Sequence, residues 1–475
     1  MSLKTLFSAR DVTVGRPWKR ILELAIPMLL GNIAQQLYNT VDTIVVGKYI
    51  GDDALSAVGA SGPILNMVFV LFMGVATGAG ILVSQRFGAK DREGLSRVIG
   101  NVVTLTFIAS VITSVIGVVL ARVPLFGGRT LLQVMNTPEG NIYDWSVTYL
   151  TVLFLGIIGS IYYNIFAGAL RGMGDSVSAL MFLLVCTVMN IILDVYFVAN
   201  LGLGVFGVAL ATVISQIVSG ILCAIKLFKM RDLFDVGTKY LKLDKEVTMG
   251  VINLGVPSGI SQAIFAMSSI LVQSLTNSMG AMVMACNVVV MRVDSFAMMP
   301  SFSIGAAMTT FAGQNYGARR FDRLRQGSRQ CMFIALGVST VLTAGILIFG
   351  RGLAHFFTET DALVDLACKM LRILAVGYIC MGVSQTLYAF MRGVGDTKTP
   401  MWIGIFTQVV LRLPLAYWIV GNSADEEFPN GRPEGLFLSM LISWVLGTVI
   451  AYIFQRRSLK KMEESAAADS MAVTE

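Results

Sequence analysis

The chain has 475 residues, of which 55% are hydrophobic and only 14% are charged. Soluble domains carry about 25% charged residues, so this composition excludes an ordinary soluble protein and indicates one embedded in a membrane. The net charge of +7 does not indicate nucleic-acid binding, because the basic residues follow a membrane-topology pattern. The six cysteines stand singly among apolar residues, and the lone His355 cannot form a histidine metal cage, so no cofactor is expected.

Apolar segments long enough to cross a bilayer, for which about 20 residues suffice, recur twelve times. In chain order the predicted spans are 21–47, 57–82, 98–121, 143–168, 177–199, 206–228, 247–273, 281–311, 330–350, 368–390, 401–420 and 435–455. This pattern predicts an all-α polytopic membrane protein with twelve transmembrane helices.

The basic residues between the spans favour one side of the membrane. The N-terminus, alternate loops and the C-terminus together hold 27 of them. The opposite loops hold 5, namely Lys48, Arg122, Arg129, Arg351 and Arg432. Because cytoplasmic segments are enriched in Lys and Arg, we expect a multi-pass protein of the cytoplasmic (inner) cell membrane with both termini in the cytoplasm.

Three sequence matches recur in the same order in both halves of the chain. They are Ile26-Pro27 with Val256-Pro257, Gln85-Arg-Phe-Gly-Ala-Lys90 with Gln314-Asn-Tyr-Gly-Ala-Arg319, and Ala169-Leu-Arg-Gly-Met-Gly-Asp175 with Phe390-Met-Arg-Gly-Val-Gly-Asp396. Such a repeat predicts two pseudo-symmetric six-helix bundles around a central cleft. The expected parts are a cytoplasmic N-terminal segment (1–20), an N-terminal lobe (21–228), a cytoplasmic linker (229–246), a C-terminal lobe (247–457) and a cytoplasmic tail (458–475).

The Arg-Gly-x-Gly-Asp sequence of the third match superficially resembles a phosphate-binding loop. It lacks the Gly-Lys-Ser/Thr ending of a P-loop, and it lies between two apolar spans. We therefore interpret it as a turn in which glycine ends one helix and aspartate caps the next. No Walker sequence occurs in the chain, so we do not expect ATP hydrolysis to drive it.

Two aspartates, Asp42 and Asp194, lie inside apolar spans, where an uncompensated charge costs roughly 3 kcal/mol or more. Counted from the span ends, five polar residues of the first half fall at or near one depth, about 9 Å below the outer boundary. These are Asp42, Tyr149, Asn190, Asp194 and Thr212, with Asn190 one turn from Asp194 on the same helix face. The sequence thus predicts an oxygen-lined site in the first half.

Two chemical uses of this site remain open. Burial and a second carboxylate both favour the protonated form of an aspartate, so the pair is suited to carrying a proton. Alternatively, Asp42, Asn190, Asp194 and Thr212 can hold a monovalent cation such as sodium. The structural alternative is that the aspartates cap a helix end or join two helices by hydrogen bonds.

The second half has no equivalent of this site, because Asn190 and Asp194 correspond to Leu411 and Leu415. Its membrane charges, Arg292, Asp294, Arg372 and Arg412, either pair structurally or line the cleft. Methionines are frequent in spans seven and eight, and flexible thioethers suit pockets for varied apolar ligands. The candidate substrate-cleft residues are Gln35, Met267, Met291, Arg292, Asp294 and Met298, and Pro27 is the candidate hinge.

Taken together, these motifs resemble the multidrug and toxic compound extrusion (MATE) family, particularly its prokaryotic DinF-like branch, over about residues 15–457. The resemblance rests on Ile26-Pro27, Tyr38-Asn-Thr-Val-Asp42, Gln85-x-x-Gly-Ala89, Arg171-Gly-x-Gly-Asp175, Asn190-Ile-Ile-Leu-Asp194 and the second-half matches. It implies two six-helix bundles around a cavity, with the family's first-lobe cation site on Asp42, Asn190, Asp194 and Thr212 and with Tyr149 nearby. The acidic residue that some members carry in helix seven is missing from 259–273, so no second-lobe cation site is expected.

The resemblance implies a monomeric antiporter that exports diverse, often cationic organic compounds in exchange for protons or sodium ions by alternating access. The first alternative is a flippase for a lipid-linked sugar or phospholipid, which would need several buried cations for the headgroup. The second is an intramembrane aspartyl protease, but that class does not explain the two-half repeat. We therefore expect a transporter and not an enzyme, with small-molecule substrates and the lipid bilayer as its partners.

Overall fold

The computed structural model describes residues 8–125, 128–135, 137–424 and 428–474, and almost all of them are helical. The chain forms two compact units. The first comprises residues up to Asp11 together with Leu30–Val256, and the second comprises Val12–Leu29 and Pro257–Glu475. Two helices, α1 (Pro17–Tyr49) and α9 (Lys245–Ser278), contribute to both units.

The first unit contains the last five turns of α1, the first three turns of α9 and the helices between them. These helices are α2 (Asp52–Gly88), α3 (Arg92–Arg122), the short α4 (Leu131–Val134), α5 (Asn141–Leu155), α6 (Ile157–Gly172), α7 (Ser176–Val195) and α8 (Gly204–Lys229). A π-helical turn, Tyr196–Asn200, extends α7, and a 3₁₀ turn, Thr238–Leu241, lies in the linker. The core of this unit packs apolar side chains such as Ala79, Leu95, Phe154, Ile161 and Leu170.

The second unit contains the start of α1, the rest of α9 and the remaining helices. These helices are α10 (Ala281–Gly317), α11 (Phe321–His355), α12 (Asp361–Gly393), α13 (Lys398–Gly404), α14 (Arg412–Gly421) and α15 (Pro433–Thr474). A π-helical segment, Ile405–Leu411, joins α13 to α14. The predicted tail 458–475 thus begins inside α15, where Leu459 is buried in a core cluster with Phe311 and Phe390.

The twelve predicted spans correspond to twelve helical spans. Within the described residues, ten helices are long and apolar enough to cross a membrane, and α5 with α6, bent by 50° at Gly156, makes an eleventh. The twelfth is α1, which is 33 residues long but less apolar because Asn32, Gln35, Gln36 and Asn39 lie along it. The protein is therefore an all-α, pseudo-symmetric, multi-pass membrane protein.

The sequence repeat is also visible in the backbone. Lys90 and Arg319 are the two non-glycine residues with positive φ in the described chain, at 55° and 52°, and they occupy equivalent positions of the repeat. The Arg-Gly-x-Gly-Asp segments form the predicted turns. Asp175 caps α7 by accepting a hydrogen bond from the Ser178 amide at 3.0 Å, and the equivalent Asp396 accepts one from the Thr399 amide at the same distance.

The boundaries of the two units differ from the expected division at two places. Val12–Leu29 groups with the second unit, because Ile21 and Leu24 are buried with Phe311 and Phe390. The Val12 amide donates to Gln314 Oε1 at 3.0 Å in that same unit.

At the other boundary, Lys245–Val256 groups with the first unit. The Thr248 hydroxyl donates to Asn101 Oδ1 at 3.0 Å, and Gly78 of α2 packs directly on the α9 backbone at Val251. In each of these two helices, the boundary between the units lies next to a proline of the sequence repeat. These prolines are Pro27 in α1 and Pro257 in α9.

Candidate functional site

The structure brings the five predicted site residues together in the first unit. Asp42 lies on α1, Tyr149 on α5, Asn190 and Asp194 on α7, and Thr212 on α8. Asn190 and Asp194 are one helical turn apart on the same face, as the spacing predicted. Asp194 and Asn190 are 0% and 1% exposed, so the site is shielded from solvent on the α7 side.

Hydrogen bonds and close approach connect these side chains across α1, α7 and α8. The carboxyl groups of Asp42 and Asp194 adjoin each other closely enough to share a hydrogen bond when one of them is protonated. The Asn190 amide donates to Thr212 Oγ1 at 3.4 Å. The Tyr38 hydroxyl, one turn before Asp42 on α1, shares a hydrogen bond with the same Thr212 oxygen at 3.4 Å.

Oxygen atoms without a donor are concentrated at this site. Of the eleven buried side-chain N and O atoms that lack a hydrogen-bond partner in the described residues, four belong to Asp42, Asn190 and Asp194. They are Asp42 Oδ1, Asn190 Oδ1 and both carboxylate oxygens of Asp194. Buried polar atoms are almost always hydrogen-bonded, so this group of acceptors can receive a donor or a cation from outside the chain.

The protein itself supplies no such charge. Among the described residues, no Lys, Arg or His forms an ion pair with Asp42 or Asp194. Neither the Asp42 Oδ1 atom nor the Asp194 oxygens accept a hydrogen bond from a backbone amide. Helix capping, the structural alternative, therefore does not account for these atoms. Four acceptor oxygens from two carboxylates and one amide, with the Thr212 hydroxyl beside them, fit a proton or a monovalent cation.

One residue at the site was missed from the sequence. Tyr38 lies four residues before Asp42, and its hydroxyl contacts Thr212. Helical spacing from a residue already identified is the signal that finds it, since residues three and four apart share a face. Depth counting missed it because it belongs to the next turn into the membrane.

The second unit contains a different buried polar cluster. The Tyr378 hydroxyl of α12 donates to Asp294 Oδ1 of α10. Arg412, at the start of α14 and 4% exposed, lies within electrostatic range of Asp294 and donates to Gln408 Oε1 at 3.2 Å. Asp294 therefore finds its partners on other helices, as its two-residue separation from Arg292 indicated. This cluster contains its own positive charge.

The six candidate substrate residues are divided between the units. Gln35 lies half-buried on α1 in the first unit, and the other five lie on α9 and α10 in the second. Met267, Met291 and Arg292 are exposed, whereas Asp294 and Met298 are partly buried. Their role in substrate binding stays a prediction.

Comparisons with known proteins agree with the repeat. The family model described as MatE matches residues 27–197 and 257–418. The chain is 33% identical over 435 residues to "Probable multidrug resistance protein YoeA" of Bacillus subtilis (strain 168), covering 90% of this chain and 92% of that protein. It is 25% identical over 406 residues to "Probable multidrug resistance protein NorM" of Thermotoga maritima, covering 85% of each.

Solved structures show the same architecture. "Outward-facing conformation of a multidrug resistance MATE family transporter of the MOP superfamily" aligns with a TM-score of 0.85 and 26% identity, covering 95% of this chain and 98% of that one. "Crystal structure of MATE in the bent conformation" aligns with a TM-score of 0.87 and 25% identity, covering 98% and 100%. The two ranges of the family match begin at the repeat prolines, Pro27 and Pro257.

Proposed function

The chain belongs to the MatE family of membrane transporters and is not an enzyme, and from that premise we propose that it is a secondary active multidrug antiporter. It exports small organic compounds, often cationic, in exchange for protons or sodium ions by alternating access. The multidrug-resistance names of its relatives support the export of varied compounds. The observation that carries the ion coupling is the group of four buried, unpartnered oxygen atoms of Asp42, Asn190 and Asp194.

Ion binding at this site acts on α1. With both carboxylates ionised, Asp42 and Asp194 repel each other, and a bound proton or cation removes that repulsion. The ion drives transport only to the extent that one conformation binds it more tightly than the other. Tyr38 and Asp42 lie on the same helix as Pro27, and the change from one unit to the other two residues beyond Pro27 supports a hinge at that point.

We assign substrate contacts to Gln35, Met267, Met291, Arg292, Asp294 and Met298. Flexible methionine side chains adapt to compounds of different shape, and an aspartate offers a counter-charge to organic cations. The protein acts as a monomer in the cytoplasmic membrane. Both termini lie in the cytoplasm, an assignment that rests on the 27 to 5 distribution of basic residues.

Transport in vesicles tests the coupling. Purified protein is reconstituted, and efflux of a fluorescent organic cation is measured under a sodium gradient or a pH gradient imposed separately. We expect Asp42→Asn and Asp194→Asn to abolish ion-driven transport, whereas Asp52→Asn, an exposed aspartate at the start of α2, keeps it. Unchanged ion-driven efflux in both site variants would exclude the proposed coupling site.

The flippase alternative finds little support in the arginines of the second unit. A lipid-linked pyrophosphate needs several buried cations in one place. Of the three membrane arginines considered, Arg412 is buried but lies beside Asp294 and Gln408, and Arg292 and Arg372 are exposed. Rescue of envelope synthesis in a flippase-depleted cell, without drug export, would reverse this assignment.

A further inference from the structure

A cavity of about 350 Å³ lies between the start of α3 and the linker that joins α8 to α9. Two residues of α3 and five residues of the linker line it, and all seven belong to the first unit. Its volume falls within the range of ligand pockets, which is about 300–1,000 Å³. None of its lining residues belongs to the proposed coupling site or to the candidate substrate residues, so the cavity is a separate feature of the molecule.

Close contacts hold the linker against α3. The Asn101 side-chain amide of α3 donates to the Asp244 carbonyl oxygen at 3.3 Å. Gly100 of α3 packs directly on Tyr240, because a Cβ at this glycine would clash with the Tyr240 carbonyl oxygen. Tyr240 is 8% exposed, so its ring is part of the protein interior. The walls of the cavity are therefore in place before any ligand binds.

Both acidic residues of the cavity wall already have partners. Glu93 accepts a hydrogen bond from Arg97 one turn later on α3, at 3.0 Å. The Asp244 carboxylate accepts from the Glu246 amide at 2.9 Å and so caps the start of α9. Neither carboxylate is left to neutralise the lysines of the linker.

Two lysines of the cavity wall, Lys239 and Lys242, are exposed and form no ion pair within the described part of the chain. Asp235, which lies within electrostatic range of Lys239, is paired with Arg92 at 2.8 Å. The Lys239 ammonium group stands 4.5 Å from the centre of the Tyr240 ring, a cation–π contact that positions it. The cavity therefore offers positive charge to a ligand that brings negative charge.

The cavity lies at the boundary between membrane and water. The linker connects the ends of two spans, and Arg97 directly precedes the predicted span 98–121. Leu243, which lines the cavity, is 51% exposed, and Leu241 beside it is 43% exposed. Positive charge next to exposed apolar side chains at this depth matches a molecule with an anionic head and apolar chains.

We propose that this cavity binds the phosphate headgroup of an anionic phospholipid, with Lys239 and Lys242 as its charged contacts. Basic residues next to a membrane span attract anionic lipids, and each contributes about fivefold in affinity. A soluble phosphate ester shares the chemistry of the headgroup but has no chains to cover the exposed leucines, so the structure favours the lipid. The inference does not depend on the coupling site.

Lipid-dependent thermal stabilisation tests the assignment. The purified protein is unfolded in a neutral detergent while phosphatidylglycerol, phosphatidylcholine or glycerol 3-phosphate is titrated in. We expect phosphatidylglycerol to raise the unfolding midpoint at lower concentration than phosphatidylcholine, and glycerol 3-phosphate to leave it unchanged at equal concentration. The double variant Lys239→Gln with Lys242→Gln raises the phosphatidylglycerol concentration for half-maximal stabilisation by roughly tenfold or more.

Two further double variants serve as controls. Lys239→Arg with Lys242→Arg keeps both positive charges and retains the response to phosphatidylglycerol. Lys229→Gln with Arg231→Gln removes the same charge from exposed residues that do not line the cavity, and it shifts the half-maximal concentration by less than about twofold.

Each contrary outcome overturns a defined part of this inference. An unchanged response in the lysine-to-glutamine variant excludes the site, and equal losses in both charge-removing variants show a general surface attraction instead. Equal stabilisation by glycerol 3-phosphate, lost in the lysine-to-glutamine variant, replaces the lipid with a soluble phosphate ester. All these outcomes leave the coupling at Asp42 and Asp194 untouched, so the proposed function stands or fails separately.

Discussion

Two buried aspartates, one capping the start of α7 and one in its last turn, provide a test of the role of Asp194. Asp175 is 1% exposed and fully partnered, since it accepts from the Ser178 amide at 3.0 Å and the Ser178 hydroxyl at 2.7 Å and lies 3.6 Å from Lys226 Nζ. Asp194 is 0% exposed, and neither of its oxygens has a donor. We predict that Asp175→Asn destabilises the protein and that Asp194→Asn stabilises it.

The expected magnitudes follow from these contacts. An unpartnered buried polar group costs about 1–3 kcal/mol, and a charged one costs more. Asparagine at 194 removes the repulsion with Asp42 and offers that carboxylate a donor, so we expect a gain of about 1–3 kcal/mol. For a unit of this size, each kcal/mol shifts the midpoint of thermal unfolding by about 2–4 °C. At 175, asparagine still caps the helix but loses charge-assisted hydrogen bonding, at a cost of about 1 kcal/mol.

Thermal unfolding of both variants in detergent, in potassium without sodium and at alkaline pH, measures these shifts. Alkaline pH lowers the concentration of protons that could bind at the site, and the absence of sodium removes the other proposed ligand. Opposite signs for the two variants are the expected result. A destabilised Asp194→Asn variant would refute the reasoning, because it would show that Asp194 joins helices structurally as Asp175 does.

Two further predictions concern packing and charge. Arg412→Gln costs about 1–3 kcal/mol because it removes the hydrogen bond to Gln408 Oε1 and the counter-charge within electrostatic range of Asp294, and the double variant with Asp294→Asn recovers part of that loss in thermal unfolding. No recovery in the double variant would contradict the electrostatic coupling of the two residues. Gly78→Ala costs about 1–3 kcal/mol because the added Cβ would lie 2.6 Å from a backbone oxygen of α9, whereas Gly59→Ala, with no atom within 4 Å, is neutral or slightly stabilising by the same assay.

Much of the fold could be predicted from the sequence because its signals are local. Apolar length predicts spans, and the repeat predicts two related sets of six helices. The division of α1 and α9 between the units could not be predicted in this way. It depends on the hydrophobic core in which Ile21 and Leu24 pack, and on how closely Gly78 approaches α9. Hydropathy carries no information about such contacts.

The site was predictable where depth and helical spacing were enough. Asp42, Tyr149, Asp194 and Thr212 could be placed at one level because each lies a countable distance from a span end. Tyr38 could not be singled out, since a single tyrosine in a membrane helix is as easily a packing residue. Only the structure shows that its hydroxyl contacts Thr212.

The two units treat buried charge in opposite ways, and this difference supports a division of labour between them. In the second unit, Arg412 lies within electrostatic range of Asp294, so that carboxylate has a counter-charge within the chain. In the first, Asp42 and Asp194 have no basic partner among the described residues, and under the proposed function an ion from solution balances their charge. A group whose partner comes from solution responds to the concentration of that partner, and a fixed pair does not. Under the proposed function, ion coupling therefore uses Asp42 and Asp194 of the first unit, and the cluster around Asp294 in the second unit takes no part in it.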